Sequence, residues 1–424
     1  MKNDYLRKIA AGAMLAASFA LLAPLFSACA GGGGETGGAQ GADSLSLTPP
    51  AITVAALEDS HAAEPTSARL LFAGDVMVHE PQLLAQFDNT TKDYDFRNNY
   101  SFVKPYIESA DLALCNLETT LGGSPYRGYP SFSSPDSLAD ALLDAGFDAV
   151  FTSNNHMMDK GATGLTRTIE TLRAAGLKNV GSQLEGEPNY MLLSAGAINV
   201  GLVSYTYESP RYNGTRTLNG IPVKAEIEPM VNSFGFETLE ADMAAVEGAV
   251  GAARASGADF VVCYFHWGNE YHRSPDDNQR QIAARIAQAG ADLIVASHPH
   301  VLQGMETLEA NGRKVPVYYS MGNFISNQRT ETTGSRYTEQ GMMVLADLKL
   351  MPDSRKLLSL DTKALPTWVD KYNDGRKNVY HIIPLTGDFM NNPSLLESGH
   401  GERARQALEY CVGLFGDGQI YKEQ

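Results

Sequence analysis

Six apolar runs in this chain stop at a polar corner, and the corners carry a narrow set of residue types. "LLFAGDVMVH" ends in Asp75, "LALCNLE" in Asn116 and Glu118, and "AVFTSNNH" in Asn154, Asn155 and His156. "VVCYFHWG" ends in His266, "LIVASHPH" in His298 and His300, and "VYYSMGNF" in Asn323. From Arg69 onward the same rhythm repeats: a short apolar run, a polar corner, then a segment of helical period. The runs "RLLFAG", "ADLALCN", "FDAVFTS", "INVGLVSY", "DFVVCYF", "ADLIVAS", "VPVYYS" and "GMMVLADLKL" read as strands. "SLADALLDAG", "TGLTRTIETLRAAG" and "QRQIAARIAQAG" space apolar residues as a helix does and stop at Gly, the usual C-terminal signal. Leu165, Ile169 and Leu172 form one such stripe and read as core. The class is α/β.

In open α/β sheets, ligands sit beyond the carboxyl ends of the strands, so the six corners are expected to converge on one crevice. Carboxylates, amides and at least three imidazoles make a mixed oxygen and nitrogen donor set suited to Mn, Fe or Zn rather than to Ca or Mg alone. The donors outnumber the needs of one closed tetrahedral site. Two divalent cations roughly 3.5–4 Å apart, sharing one carboxylate, would use them. Each residue taken alone has a plainer reading: Asp75 as a turn or cap residue, Glu118 as a solvated acid, Asn155 as a turn amide, His266 as a core histidine. The pair in "SHPH" is stronger, because the proline between two histidines fixes their geometry.

The ends of the chain carry different signals. Lys2, Arg7 and Lys8 precede an apolar run from Ile9 to Phe26, which reads as a signal peptide over residues 1–28. Phe26-Ser27-Ala28-Cys29 resembles a lipoprotein cleavage site, with Cys29 as the lipidated first residue of the mature chain and the protein extracytoplasmic at the cell membrane. Residues 29–68, rich in Gly, Ala, Ser, Thr and Pro, read as a disordered tether. A folded domain is expected over 69–350, with an insertion at about 209–235, and residues 351–424 are expected to close the same domain. The net charge of −16 argues against nucleic acid as a partner and for a site loaded with cations. Cys115, Cys263 and Cys411 lack metal-binding or redox spacing and read as buried free thiols.

In order, GDVM, NLETTL, NNHMMDKG, FHWG, SHPHVLQG and YSMGNF resemble the CapA family of bacterial capsule synthesis proteins, over about residues 69–348. The resemblance implies a role in poly-γ-glutamate capsule assembly and a metallophosphatase (calcineurin-like phosphoesterase) fold: a four-layer α/β/β/α sandwich of two mixed sheets. By the same resemblance Asp75 and His300 serve a first metal, Glu118 bridges, His266 and His298 serve a second, and Asn155 also binds metal. His156 faces the substrate and protonates the leaving group. Met77 stands where the phosphoesterases place another histidine; His79 is a substitute for it or a substrate contact, as Asn116 and Asn323 would be. The strand before "NNH" must end there, since adjacent residues on a β-strand cannot face one crevice. Asp159 is read as the cap of the next helix, with fixing of the His156 tautomer as the alternative. Two functions stay open. One is a metal-dependent hydrolase or transferase. The other is an accessory protein that binds an anionic extracellular polymer such as poly-γ-glutamate beside the membrane complex of capsule synthesis.

Overall fold

A computed structural model describes residues 64–423 of the chain. The signal peptide, Cys29 and most of the tether lie outside the described residues. All eight apolar runs form strands. Three of them, Thr66–Val76, Leu112–Leu117 and Ala149–Phe151, belong to one sheet, and Ile198–Tyr207 and Phe260–His266 belong to a second. The first sheet has eight strands, with Thr66–Val76 near its centre between Leu112–Leu117 and Gln340–Leu350. The second has seven, in which Ile198–Tyr207, Phe260–His266 and Leu293–Ser297 run parallel side by side, followed by Arg313–Met321.

Alternation along each strand explains the layering. Leu70 and Phe72 point one way, into a core shared with Leu114, Val262, Tyr264 and Val295 from both sheets. Leu71 and Ala73 point the other way, onto Leu138, Leu142 and Leu172 of the helices Ser137–Asp144 and Gly161–Ala175. On the far sheet, Val261, Cys263 and Phe265 pack against Val246, Val250, Ile282 and Ile286 of the helices Leu239–Ala255 and Asp277–Ala289. The result is the expected four-layer α/β/β/α sandwich. With both strand faces dry, each fully buried aliphatic or aromatic side chain contributes about 1.5–3 kcal/mol, which is why the central strands read as unbroken apolar runs.

Local signals set the helix ends. Asp276 and Gln279 form a reciprocal capping box at the start of Asp277–Ala289, and Gly176, at φ 100°, ends Gly161–Ala175. Residues 351–424 add the strands Leu357–Asn373 and Asn378–Pro384 to the first sheet, and the helix Gly401–Phe415 places Cys411 and Phe415 in the inter-sheet core. Cys115, Cys263 and Cys411 are free and buried. The tether boundary moves. Residues 66–68 are already strand, because Gln340–Leu350 is long enough to pair Thr66 with Leu350 and Ala68 with Leu348.

One close approach positions the site. Asp75 N–H donates to the Gly322 carbonyl at 3.0 Å, and a Cβ built on Gly74 would collide with that same carbonyl. Gly74→Ala is therefore expected to cost about 3 kcal/mol, through a backbone shift that no rotamer can relieve, and to displace Asp75. Chemical denaturation of the two proteins checks this, and equal midpoints would contradict it.

Candidate metal centre

Parallel register brings the corners together. Asp75 is level with Asn116 on one side and Asn323 on the other, and His266 is level with Ser297, just before the "HPH" turn. Asp75 Oδ1 accepts from Asn116 Nδ2 at 2.7 Å, and its Oδ2 lies 3.2 Å from His300 Nδ1. His266 Nε2 lies 2.8 Å from Asn155 Oδ1 and 3.5 Å from Glu118 Oε1, while His300 Nε2 lies 3.7 Å from the same Glu118 oxygen. Two donor sets result, Asp75–Glu118–His266 and Glu118–His298–His300, each with its ligand atoms within 4.8 Å of one another. Glu118 belongs to both. The grouping crosses the one implied by the resemblance, which set Asp75 with His300 and His266 with His298.

The electrostatics of these residues fit a cation. Glu118 is fully buried, and among the described residues neither of its carboxylate oxygens has a hydrogen-bond partner; His298 Nδ1 is likewise buried and unpartnered among them. Burial, and then the charge of Asp75, push the Glu118 carboxyl well above its ordinary range. Burial likewise drives His266 down to about 3, and it drives His298 well below its usual value, with His266 and His300 adding to the effect. Burial, the largest single influence, pulls Asp75 the other way, but the His300 hydrogen bond and charge, the His266 charge and the Asn116 hydrogen bond together leave this carboxyl lowered. Unpaired carboxylate and neutral imidazole lone pairs, buried together, are costly in a protein and well matched to a divalent metal. Both neighbours of His300 Nδ1, Asp75 Oδ2 and Asn323 Oδ1, are acceptors, so Nδ1 carries the proton and Nε2 keeps the lone pair. His298 and His300 adopt φ of 106° and 56°, strained for residues other than glycine, at about 1–3 kcal/mol each.

His156 sits beside this cluster. Its Nδ1 lies 2.8 Å from Asp159 Oδ2, which also accepts from the Phe132 N–H at 2.7 Å. Asp159 thus fixes the His156 tautomer and does not cap the next helix, which starts after Lys160 without a side-chain cap. The Asn154 Oδ1 accepts from the His156 N–H and its Nδ2 donates to the Leu117 carbonyl, tying this turn to the Glu118 corner.

Two expected substrate contacts are corrected. Asn116 and Asn323 are fully buried with both amide ends engaged: Asn116 by Asp75 and Asn154, Asn323 by His300, Gln328 and the Thr338 carbonyl. They hydrogen-bond the candidate ligands Asp75 and His300 and have no free amide end to offer a substrate. His79 stands at the start of the Glu80–Gln86 helix, its Nδ1 3.3 Å from the Asn327 N–H and its ring edge-on to Phe132, which is edge-on to His156. Burial lowers its pKa to about 4. It belongs to neither donor set, and Met77 brings no nitrogen or oxygen ligand in its place. A residue that the motifs did not mark joins the site instead. Asn219, from the 209–235 segment, accepts a hydrogen bond from Asn155 Nδ2 at 3.1 Å. Its signal was the Asn-Gly pair in "TLNGIP".

Residues 69–328 match the family described as bacterial capsule synthesis protein PGA_cap. The chain belongs to that family. Among relatives of the PGA_cap chain, capsule biosynthesis protein CapA of Bacillus anthracis is 27% identical over 269 residues, covering 61% of this chain and 60% of the relative. PGA biosynthesis protein CapA of Bacillus subtilis (strain 168) is 28% identical over 270 residues, covering 61% and 63%. The chain therefore spans about three fifths of the length of these curated relatives. A probable polyglutamine synthesis accessory protein of Mycobacterium tuberculosis is 24% identical over 226 residues, covering 52% of this chain and 56% of the relative. Among solved structures, the calcineurin-like phosphoesterase YfkN from Bacillus subtilis aligns with a TM-score of 0.39 at 13% identity, over 82% of this chain and 99% of that one.

Proposed function

We propose that this PGA_cap chain is a divalent-metal-dependent hydrolase or transferase of capsule-polymer synthesis, anchored outside the cytoplasm by a lipid on Cys29. The Glu118 carboxylate, buried, shared by both donor sets and without a hydrogen-bond partner among the described residues, carries the reading. Asp75, Glu118, His266, His298 and His300, with Asn155 as a neutral oxygen donor, would hold two cations of Mn, Fe or Zn type. Such cations, when bound, lower the pKa of water and neutralise charge on a reacting oxygen. The rest falls to the chain's own side chains. Asn116 and His300 aim Asp75, Asn323 holds the His300 tautomer, and the Asp159-bound His156 keeps Nε2 as the nitrogen that exchanges a proton with a leaving group.

The proposed ligand class is an anionic extracellular polymer such as poly-γ-glutamate, handled beside the membrane complex that makes it, with no role for nucleic acid. A chain of net charge −16 repels such a polymer unless cations mediate. One observation favours a second reading, a binding accessory without turnover: Met77 leaves the first metal short of a ligand. Elemental analysis of the purified protein, with hydrolysis of a generic phosphodiester before and after chelation, separates the two. The expected result is up to two metals per chain and turnover that chelation removes. Metal-loaded protein that binds poly-γ-glutamate tightly but turns over nothing would overturn the catalytic reading in favour of the accessory one.

A further inference from the structure

We propose that Asn219 is a positioning residue that holds the Asn155 amide with its oxygen toward the cation site, from the tip of a hairpin packed against the "NNHMMDKG" turn. The inference rests on the metal reading above and extends it to a segment outside every family motif noted in the sequence. Strands Thr215–Leu218 and Ile221–Pro222 pair with Leu218 opposite Ile221, so Asn219 and Gly220 alone form the loop. Their φ values are 49° and 74°. Two consecutive left-handed residues make a type I′ turn, the tightest hairpin connection, and Asn-Gly is the pair that adopts it at least cost.

The hairpin is pinned to the element that carries His156. Leu218, Val223 and Met230 pack with Met157, Met158, Leu165 and Ile169, from the "NNHMMDKG" turn and the helix that follows. Arg216 Nε donates to the buried Glu208 Oε1 at 2.6 Å, and Thr217 Oγ1 donates to the Pro210 carbonyl at 3.0 Å. A tip held in this way keeps a fixed distance from the site.

The contact then has a chemical consequence. Asn155 Nδ2 donates to Asn219 Oδ1 at 3.1 Å, which leaves Asn155 Oδ1 2.8 Å from His266 Nε2. Turned through half a rotation, the same amide would offer N–H groups to the cation site and no oxygen at all. Nothing else among the described contacts accepts from Asn155 Nδ2. Asn219 also passes 3.4 Å from His156 Nδ1, but that nitrogen already donates to Asp159. Its role is thus through Asn155. Asn219 is itself exposed, so its side chain contributes little to the core.

The test uses Asn219→Gly and Asn219→Asp in the full chain, with Mn²⁺ or Zn²⁺ affinity measured by competition against a chromophoric chelator. Glycine keeps the left-handed turn and removes only the amide; aspartate keeps an acceptor oxygen in place. Loss of an outer partner of a ligand typically weakens metal binding by about 10–100-fold, the effect expected for Asn219→Gly on the weaker-bound metal. Asn219→Asp is expected to stay within about threefold of wild type, and Asn219→Gly on an Asn155→Ala background to lose nothing further, because both act through one amide. Wild-type affinity in Asn219→Gly would overturn the proposal while leaving the metal centre standing, as would equal losses in both variants or full additivity with Asn155→Ala. A wild-type chain that takes up no metal would overturn the metal reading itself, and this inference with it.

Discussion

Without metal, Glu118→Gln is expected to unfold at a higher temperature than the wild type; with metal, the order is expected to reverse. Glu118 is buried with both oxygens unpartnered, and its carboxyl is pushed well above its ordinary range, so the metal-free fold carries the full cost of desolvating this group. An unsatisfied buried polar group costs about 1–3 kcal/mol. Glutamine has nearly the same shape, and an amide nitrogen in place of Oε1 would face the lone pair of His300 Nε2, now 3.7 Å from that oxygen. Relief of about that size is the gain expected for the metal-free variant. The wild type recovers the cost on loading, since a ligand at 100 times its Kd stabilises by about 2.7 kcal/mol. Glu118 is the one acid shared by both donor sets, so glutamine is expected to remove both gains together. Thermal unfolding of the two proteins in chelator and in excess metal gives four midpoints. A wild type indifferent to metal, or a variant less stable than wild type in chelator, would sink the assignment of Glu118 as the shared ligand.

The legible part of the fold was the part buried on both faces. Phe260–His266 reads as a strand because every side chain in it is apolar or a site residue, and the same holds for Leu293–Ser297. Leu302–Ala310 and Leu357–Asn373 were not legible. The first is mostly half-buried or exposed, without a clean alternation, at an edge of its sheet, while the second carries Asp361, Lys363 and Asp370 and a proline in the middle. Their pairing is dictated by long partners, Arg313–Met321 and Gln340–Leu350, and not by their own pattern.

The site was legible where a strand stops, because a strand end in a parallel sheet fixes both a position and a direction. That suffices to collect Asp75, Glu118, Asn155, His266, His298 and His300 into one cluster. It does not tell a ligand from a neighbour that orients a ligand, since both sit at the same corner and both are polar. Asn116 and Asn323 fell on the wrong side of that distinction. Nor does strand-end logic reach a hairpin 63 residues past His156 in the chain, so Asn219 is apparent only from the fold. Asp159 was ambiguous for a related reason: a carboxylate three residues after a histidine and two before a helix suits either role, and only the Phe132 loop, folded onto its Oδ2, decides between them.

That decision leads to the second large effect. His156→Ala is expected to lower turnover of a generic phosphodiester by about 10²–10⁴-fold with metal content unchanged, the range that a positioned acid–base group contributes. The imidazole contacts Asp159, Phe132 and Asn219 and is in neither donor set, so its loss should leave both cations in place. Asp159→Ala is expected to fall by a similar factor, because His156 would lose the acceptor that keeps its proton on Nδ1, and with it the free Nε2. It should also be less stable, since the buried Phe132 N–H is left without its partner. Asp159→Asn retains an acceptor oxygen but no charge, and belongs between wild type and Asp159→Ala. The double replacement His156→Ala with Asp159→Ala should be no slower than His156→Ala alone, because residues that act as one unit are not additive. Steady-state rates on metal-saturated protein, with elemental analysis of each variant, provide the check. Wild-type turnover in His156→Ala would remove the proton-donor role and leave the buried His156–Asp159 pair as a tie between the "NNHMMDKG" turn and the Phe132 loop.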